Sequence, residues 1–241
     1  MLRMKPALAI ALLGLTLFAA EPSRHEAQKT TTERVNFAPG GTIRLLDAYG
    51  CVSVEGWDNP EVEVAVTRVK AGLYSAKERA AAEPNLEKIT VKLERRSDRE
   101  LVISTTFPRH EGWLLGPLPP KIRVDADMEY VIRVPRNSHV AIHHKDGDVL
   151  IREVTGEIEA SSRSGDIVVM LPDSGKYAID ARVRLGTVYS DFGDPKHTAY
   201  LVGEKFANGT GQRVFLRMGL GGISIQHEAD AVSSQSGDLK D

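Results

Sequence analysis

The chain contains Gly147-Asp148-Val149-Leu150-Ile151, and the phrase returns as Gly165-Asp166-Ile167-Val168-Val169. Looser copies run through the C-terminal half, where the glycines recur at steps of about 9 to 11 residues. The glycines with these steps are Gly147, Gly156, Gly165, Gly175 and Gly186, and Gly203, Gly211 and Gly221 continue the phrase at less regular spacing. A glycine that opens a short β-branched strand at near-constant spacing indicates stacked copies of one supersecondary unit. The sequence therefore predicts an all-β fold of stacked repeats, a β-solenoid or β-helix-like structure.

Within each copy, side chains alternate between two faces of a strand. Ile167 and Val169 should point to one side, and Asp166 and Val168 to the other. Glycine suits the corner between strands because it tolerates positive φ and lets neighbouring backbones approach closely. We therefore expect the β-branched residues to fill a shared core and the glycines to form its corners.

Residues 33–135 form a second β-rich part. Its predicted strands cover residues 42–47, 51–55, 62–69, 89–94, 101–106 and 121–135. An alanine-rich segment, residues 75–88, interrupts them, and Ser75 followed by Glu78 fits a helix capping box. We expect one short helical insert there, and a single domain in which this part continues into the repeat part at residues 136–227.

The first twenty residues have the layout of a secretory signal peptide. Arg3 and Lys5 precede an apolar run at residues 7–18, and Ala19 and Ala20 follow it. An uncleaved anchor is the alternative, but the run is shorter than the roughly 20 residues that span a bilayer. We predict export to the periplasm or the cell surface, with no transmembrane segment after cleavage. The polar tail at residues 228–241 is predicted to be disordered.

Charge and cysteine content exclude some classes of protein. Lys and Arg total 31 against 33 Asp and Glu, and removal of Arg3 and Lys5 gives 29 minus 33, or a net charge of −4. Such a chain has no electrostatic footprint for nucleic acid or for anionic lipid. Cys51 is the only cysteine, so an intramolecular disulfide is excluded. Since Val52 and Val54 should face the core, Cys51 should lie on the opposite face, where an intermolecular disulfide stays open.

Several segments in order resemble the bacterial putative-adhesin domain family of unknown function. They are the stretch at residues 49–58, the helical insert with its strand pair, Ile132-Arg133-Val134-Pro135, and the run from Ser164 through Leu171-Pro172 to Phe192. The similarity covers roughly residues 35–226. The resemblance implies an exported, β-solenoid-like fold in the cell envelope. It implies no catalytic residue, since the family has none to carry over.

Asp148 and Asp166 occupy the same position of the repeat and could stack about 5 Å apart, the spacing of neighbouring strands. Such a pair could perform acid and base chemistry or bind a cation. An aspartate beside glycine at a corner is, however, typical of a solvated turn. We therefore predict no catalytic residue and no metal or cofactor site here.

Two further polar groups were weighed as sites. His143, His144 and Asp146 form the densest set of metal-ligand residue types, but adjacent strand residues point to opposite faces. An exposed polar strand edge is the favoured interpretation. The serines of the nearby corner, Ser161, Ser162 and Ser164, lack the motif of a nucleophilic serine and are interpreted as corner residues.

The loop at residues 108–120 places Trp113, Leu114 and Leu115 among turn-forming residues. Apolar side chains on a loop can anchor a partner. The alternative is that the loop folds back over an open end of the repeat stack, where unpaired strand edges would otherwise recruit other chains. We name these three residues as the candidate partner-binding loop.

The predicted function is a non-enzymatic, adhesin-like protein that binds or scaffolds in the cell envelope, with an envelope protein or glycan as partner. The alternatives are an envelope signalling or regulatory module and, from a different class, a β-helix carbohydrate-active enzyme. The enzyme would need clustered charges on one exposed sheet face. Arg152, Glu159, Val168 and Ala178 make the outward positions mixed, so the sequence predicts no charged groove.

Overall fold

The computed structural model describes residues 25–74, 77–78, 80, 84, 86–107, 126–172, 176–192 and 197–228. All the elements described are strands of one 13-stranded sheet that is curled and open. They are β1 (His25–Asn36), β2 (Thr42–Tyr49), β3 (Cys51–Trp57), β4 (Glu61–Tyr74), β5 (Thr90–Ser97), β6 (Glu100–Thr106), β7 (Asp127–Pro135), β8 (His139–Asp146), β9 (Val149–Arg152), β10 (Ile158–Leu171), β11 (Tyr177–Ser190), β12 (His197–Asn208) and β13 (Gln212–His227). The prediction of an all-β chain is confirmed for these residues. The signal segment and half of the helical segment at 75–88 lie outside them, so both stay predictions.

The strands form two rows that meet at a bend. β8 pairs in parallel with residues Ile158–Ser164 of β10, and β9 pairs in parallel with residues Ile167–Met170 of the same strand. β13 and β11 continue both rows in parallel, because each is long enough to pass through the bend. On the other side, β2 and β6 extend the first row, and β3, β7, β4 and β1 extend the second. Strands from both predicted parts of the chain therefore share one sheet.

The order of the strands differs from a simple succession of coils. β10 is flanked by β8 and β9 on one side and by β13 on the other, and β11 lies beyond β13. The reason is that β11 turns back into antiparallel β12, after which β13 inserts between β10 and β11. The repeat spacing predicts the neighbours of β8 and β9 correctly, but it does not predict this insertion.

A column of glycines forms the bend, as the sequence predicted for its corners. In spatial order the column is Gly50, Gly147, Gly165, Gly221 and Gly186, all with positive φ. At Gly165 φ is 106°, and an added Cβ would lie 2.6 Å from the carbonyl carbon of Gly147. At Gly221 φ is 134°, and a Cβ would lie 2.8 Å from the carbonyl carbon of Gly165. The bend therefore requires both the left-handed backbone and the absence of a side chain.

One hydrophobic core contains the inward residues of both rows. Ile167 and Val169 are fully buried, whereas Asp166 is exposed, as the alternation predicted. Val52 and Val54 are likewise buried and Cys51 is exposed, which confirms the predicted faces of β3. Among the described residues, no helix is long and apolar enough to cross a membrane.

A ladder of alternating charges fixes the register of the second row. Arg34, Glu63, Arg133, Glu55 and Arg152 lie opposite one another on β1, β4, β7, β3 and β9. Arg133 donates to Glu63 at 2.8 Å, and Arg152 lies 3.2 Å from Glu55. Opposite charges directly across a strand pair stabilise that pairing, and a shift of one residue would break every rung.

Candidate functional site

The predicted partner-binding loop cannot be placed in the fold. Trp113, Leu114 and Leu115 lie outside the described residues. Their role in binding therefore stays a prediction.

Asp148 and Asp166 connect neighbouring strands at the bend. The Asp148 carboxylate accepts a hydrogen bond from the backbone N–H of Asp166 at 3.0 Å, and the Asp166 carboxylate accepts one from the N–H of Gly222 at 2.7 Å. Each aspartate thus satisfies a backbone donor on the next strand where the ladder turns. Asp148 and Asp166 therefore have a structural role, since their hydrogen bonds stabilise the bend.

His143 and His144 point to opposite faces of β8, as predicted. His143 is exposed and its Nδ1 lies 3.0 Å from the hydroxyl of Ser161. His144 is buried, so the interpretation of this segment as an exposed edge is wrong for it. Its Nε2 donates to the carbonyl of Gly50 at 2.9 Å, and its Nδ1 lies 3.2 Å from the hydroxyl of Ser162. The alternation of β8 sends this residue into the core, where the bend leaves a carbonyl to be bonded.

Burial lowers the pKa of His144, although the Gly50 carbonyl and the nearby Asp146 and Asp148 act in the opposite direction. The Ser162 hydroxyl donates to the carbonyl of Ser164 at 2.9 Å, so its single proton does not also bond Nδ1. The third residue of the group, Asp146, accepts instead from the hydroxyl of Ser164 at 2.6 Å. Within the described part of the chain, no three His, Cys, Asp or Glu residues are grouped closely enough to hold a metal ion.

A cationic cleft opens on the outer surface of β10, β13 and β11, on the first-row side of the bend. Its volume is about 380 Å³. The lining consists of Ser161, Ser162, Arg182, Val183, Arg184, Gly203, Arg217, Met218 and Gly219. An added Cβ at Gly203 on β12 would meet nothing within 4 Å, so this glycine leaves open space beside the arginine side chains. The cleft therefore presents guanidinium groups and hydroxyls around an open space.

Asp180 holds two of these arginines in place. Arg217 donates one hydrogen bond to each carboxylate oxygen of Asp180, at 3.2 and 3.1 Å. Arg182 also donates one to each of these oxygens, both at 3.2 Å. Burial alone would raise the pKa of Asp180, but the bonds from Arg217 and Arg182 outweigh it and lower that pKa. Two guanidinium groups bond the same carboxylate, so the cluster of Arg182, Arg217 and Asp180 keeps a net positive charge.

The cleft contradicts the prediction that no charged groove exists. That prediction compared the outward positions of strands in chain order, as if β11 lay next to β10 in the sheet. In the fold β13 lies between them, and its Arg217 is directly opposite Ser161 on β10 and Arg182 on β11. The cationic cluster is created by this non-sequential neighbour.

Two exposed leucines follow lining residues of the cleft in the sequence, Leu185 after Arg184 and Leu220 after Gly219. Leu185 is 49% exposed and Leu220 is 54% exposed. They are the two exposed large hydrophobic residues of the described part of the chain. They lie opposite each other on β11 and β13, one residue before the corner glycines Gly186 and Gly221. The sequence repeats a Leu-Gly pair at residues 185–186 and 220–221. The repeat alone does not indicate that the two copies lie on neighbouring strands.

No protein-family model matches this chain, and no curated protein matches it. Among solved structures, it is similar to a "putative cell adhesion protein" from Clostridium sporogenes, with 13% identity and a TM-score of 0.47, over 84% of this chain and 100% of that chain. It is also similar to a "putative adhesin" from Bacteroides fragilis, with 13% identity and a TM-score of 0.23, over 82% of this chain and 97% of that chain. A "putative lipid binding protein" from Parabacteroides distasonis has 10% identity and a TM-score of 0.21, over 81% and 96%. At TM-scores this low the likeness carries no argument, and membership of the putative-adhesin family stays a prediction.

Proposed function

We propose that the protein is an exported, β-solenoid-like, non-enzymatic binding or scaffolding protein of the bacterial cell envelope. The observation that carries the proposal is the surface formed by the cationic cleft and the adjoining Leu185 and Leu220. Exposed apolar side chains near a cluster of arginines that keeps a net positive charge are typical of a surface that meets a partner.

Other features of the sequence support the cellular setting. The signal-like segment at residues 1–20 would direct the chain out of the cytoplasm, to the periplasm or the cell surface. The stacked sheet supplies a rigid support without a disulfide, since Cys51 is the only cysteine. The loop with Trp113, Leu114 and Leu115 is proposed as a second contact with an envelope protein or glycan.

The test is binding to the envelope itself. Purified protein is mixed with cell envelopes prepared from a strain that lacks the gene, and the sedimented fraction is measured against protein concentration. We expect saturable binding, and weaker binding for the Trp113→Ala variant. A strictly linear, non-saturating isotherm would overturn the proposal. Binding that is unchanged in Trp113→Ala would remove the loop from it while leaving the cleft surface in place.

A second measurement separates binding from catalysis. The same envelopes are incubated with the protein, and newly formed reducing ends are assayed over time. We expect none above the rate without protein. Turnover that grows with protein concentration would overturn the assignment as a non-enzymatic protein and favour the carbohydrate-active alternative.

A further inference from the structure

Strand β1 (His25–Asn36) is an edge of the sheet. Among the described residues its one neighbour is β4, with which it pairs antiparallel. The pairing is regular from Ala27 to Asn36, and a register shift between His25 and Ala27 interrupts it at the start. An edge of this kind presents a row of backbone N–H and C=O groups to another strand. β1 can therefore accept a further strand along its regular stretch.

The even-numbered residues of β1 carry its outward backbone groups. Phe37 donates its backbone N–H to the carbonyl of Pro60 at 3.0 Å, in line with the register that places Val35 opposite Val62. Backbone bonds alternate between the two sides of an antiparallel strand. The odd-numbered residues therefore bond β4. The residues that direct N–H and C=O away from β4 are Gln28, Thr30, Thr32, Arg34 and Asn36.

The free part of this edge is symmetric about Thr31. At one end, the outward carbonyl of Asn36 already accepts a hydrogen bond from Arg95. At the other end, the register shift near His25 closes the regular ladder. Residues 28–34 remain, with Thr31 at their centre. Such a segment can pair with a second copy of itself about a two-fold axis, so that both molecules use the same patch.

The charged side chains of β1 agree with an axis at Thr31. In that register Lys29 of one copy would lie directly opposite Glu33 of the other, and the same pair would recur across the axis. Glu33 is exposed and has no ion pair among the described residues. Lys29 lies 3.2 Å from Glu87, but both side chains are largely exposed, and such a pair contributes little. Two pairs of opposite charge can therefore form across the axis, which stabilises strand pairing.

Other registers lack these pairs. An axis at Lys29 or at Glu33 would place that residue opposite its own copy, and like charges directly across a strand pair are destabilising. An axis at Thr30 or Thr32 would leave both charged side chains opposite uncharged residues. The charge pattern thus selects the axis at Thr31, the same axis that the free backbone groups select.

The edge strand β5 differs from β1. It has 8 residues against 12, and a register shift interrupts its ladder to β6 after Arg95. Its exposed side chains are mostly charged, at Lys92, Glu94, Arg95 and Arg96. Bulges and charges of this kind protect an edge from pairing. The centre of β1 instead contains three threonines, at residues 30–32, whose β-branched side chains favour strand pairing.

We infer that the protein forms a two-fold homodimer through β1, in which antiparallel pairing of residues 28–34 joins the sheets of two copies. The interface is short, so the dimer is weak and its population depends on protein concentration. It carries the cationic cleft twice, which raises the avidity for a partner that presents several sites. The inference does not rest on the proposed envelope role, because it concerns only the edge of the sheet.

The experiment is sedimentation velocity of the purified full chain over a range of protein concentrations. We expect an equilibrium between monomer and dimer. Lys29→Glu and Glu33→Lys, each alone, turn both pairs across the axis into like-charge pairs and should raise the dimer dissociation constant about 30-fold. The matched control Glu129→Lys makes the same charge change as Glu33→Lys, at an exposed position of β7, which lies between β4 and β3. It should leave the dissociation constant unchanged.

An equimolar mixture of the Lys29→Glu and Glu33→Lys variants tests the register directly. One chain then carries two negative side chains at positions 29 and 33, and the other carries two positive ones, so a heterodimer regains both attractive pairs. We expect the mixture to dimerise at concentrations where each variant alone is monomeric. A folding defect in either variant would not produce this rescue.

Thr32→Pro tests the backbone pairing. It removes an outward N–H, whereas the ladder to β4 uses the odd-numbered residues, and proline is tolerated on the solvent side of an edge strand. We expect a monomer with an unchanged circular dichroism spectrum. A monomer at every concentration for the original protein, or dimerisation that is unchanged in both charge variants, would overturn the inference. Absence of a heterodimer in the mixture, or a Thr32→Pro variant that still dimerises, would overturn it as well.

Discussion

Replacing Gly165 by alanine tests whether the glycine column determines the bend. At Gly165 φ is 106°, a region that residues with a Cβ rarely adopt. The new Cβ would also lie 2.6 Å from the carbonyl carbon of Gly147 on the neighbouring parallel strand. Neither the backbone nor the flanking strands can shift freely, because Gly221 closes the other side of the column.

The expected loss follows from these two contributions. A non-glycine residue in a disfavoured backbone region costs about 1–3 kcal/mol, and overpacking against fixed atoms costs a further 1–3 kcal/mol or so. We therefore expect Gly165→Ala to lower the free energy of unfolding by about 2–6 kcal/mol. For a chain of this size that corresponds to a fall in Tm of roughly 5–20 °C.

Gly40→Ala is the matched control. Gly40 also has positive φ, 78°, but an added Cβ there would meet nothing within 4 Å. It carries the backbone contribution without the contact, so its loss should be about 1–3 kcal/mol, the lower part of the range for Gly165→Ala. Both variants are compared with the original protein by urea unfolding followed by circular dichroism. If Gly165→Ala is no more destabilising than Gly40→Ala, the close approach of strands at the bend does not contribute as argued.

Three other predictions concern polar groups in the sheet. Asp166→Ala should cost about 1–2 kcal/mol in urea unfolding, because the N–H of Gly222 loses its acceptor; an unchanged midpoint would contradict this role. Glu63→Gln should cost about 2 kcal/mol, since the buried carboxylate that joins two arginines is lost, and high salt should reduce the difference from the original protein. The pKa of His144 is lowered in the folded state, chiefly by burial, so its contribution to stability is fully present above about pH 6.5, the pKa of an unfolded histidine, and is lost as the pH falls through the folded-state pKa. His144→Gln should therefore lose less Tm between neutral pH and about pH 5 than the original protein does; equal losses would contradict the assignment.

Local patterns predicted the strands well because each strand carries its own alternation. The expected strand at 42–47 corresponds to β2 (Thr42–Tyr49), and that at 101–106 corresponds to β6 (Glu100–Thr106). The 18-residue offset between the two Gly-Asp phrases placed β9 beside β10 correctly. These results follow from side-chain periodicity and glycine spacing, which determine strands and pairings between segments that are close in the sequence.

The candidate site was not predictable in the same way. Ser161 and Arg217 are separated by 56 positions, a distance set by the β11–β12 hairpin and not by the repeat. The cleft exists because β13 inserts between β10 and β11, and no local signal encodes that choice of neighbour. His144 shows a related limit, since its polarity suggested exposure while the alternation of β8 placed it in the core. Where residue type and periodicity disagreed, periodicity decided the outcome.

The residues at the bend fall into two groups, those that maintain the fold and those that determine the chemistry of its surface. The corner glycines and the inward residues are constrained by neighbouring backbones and by the core, so few substitutions fit there. The residue before each glycine is partly or fully exposed, and it ranges from Asp146 to Leu220 within this one chain. Substitutions at that position change charge and apolar exposure at little cost in stability. A chain with the same sheet but polar residues at positions 185 and 220 should therefore fold equally well and lose the two exposed leucine side chains beside the bend. Specificity in this architecture depends on those outward positions, which similarity of fold alone does not reveal.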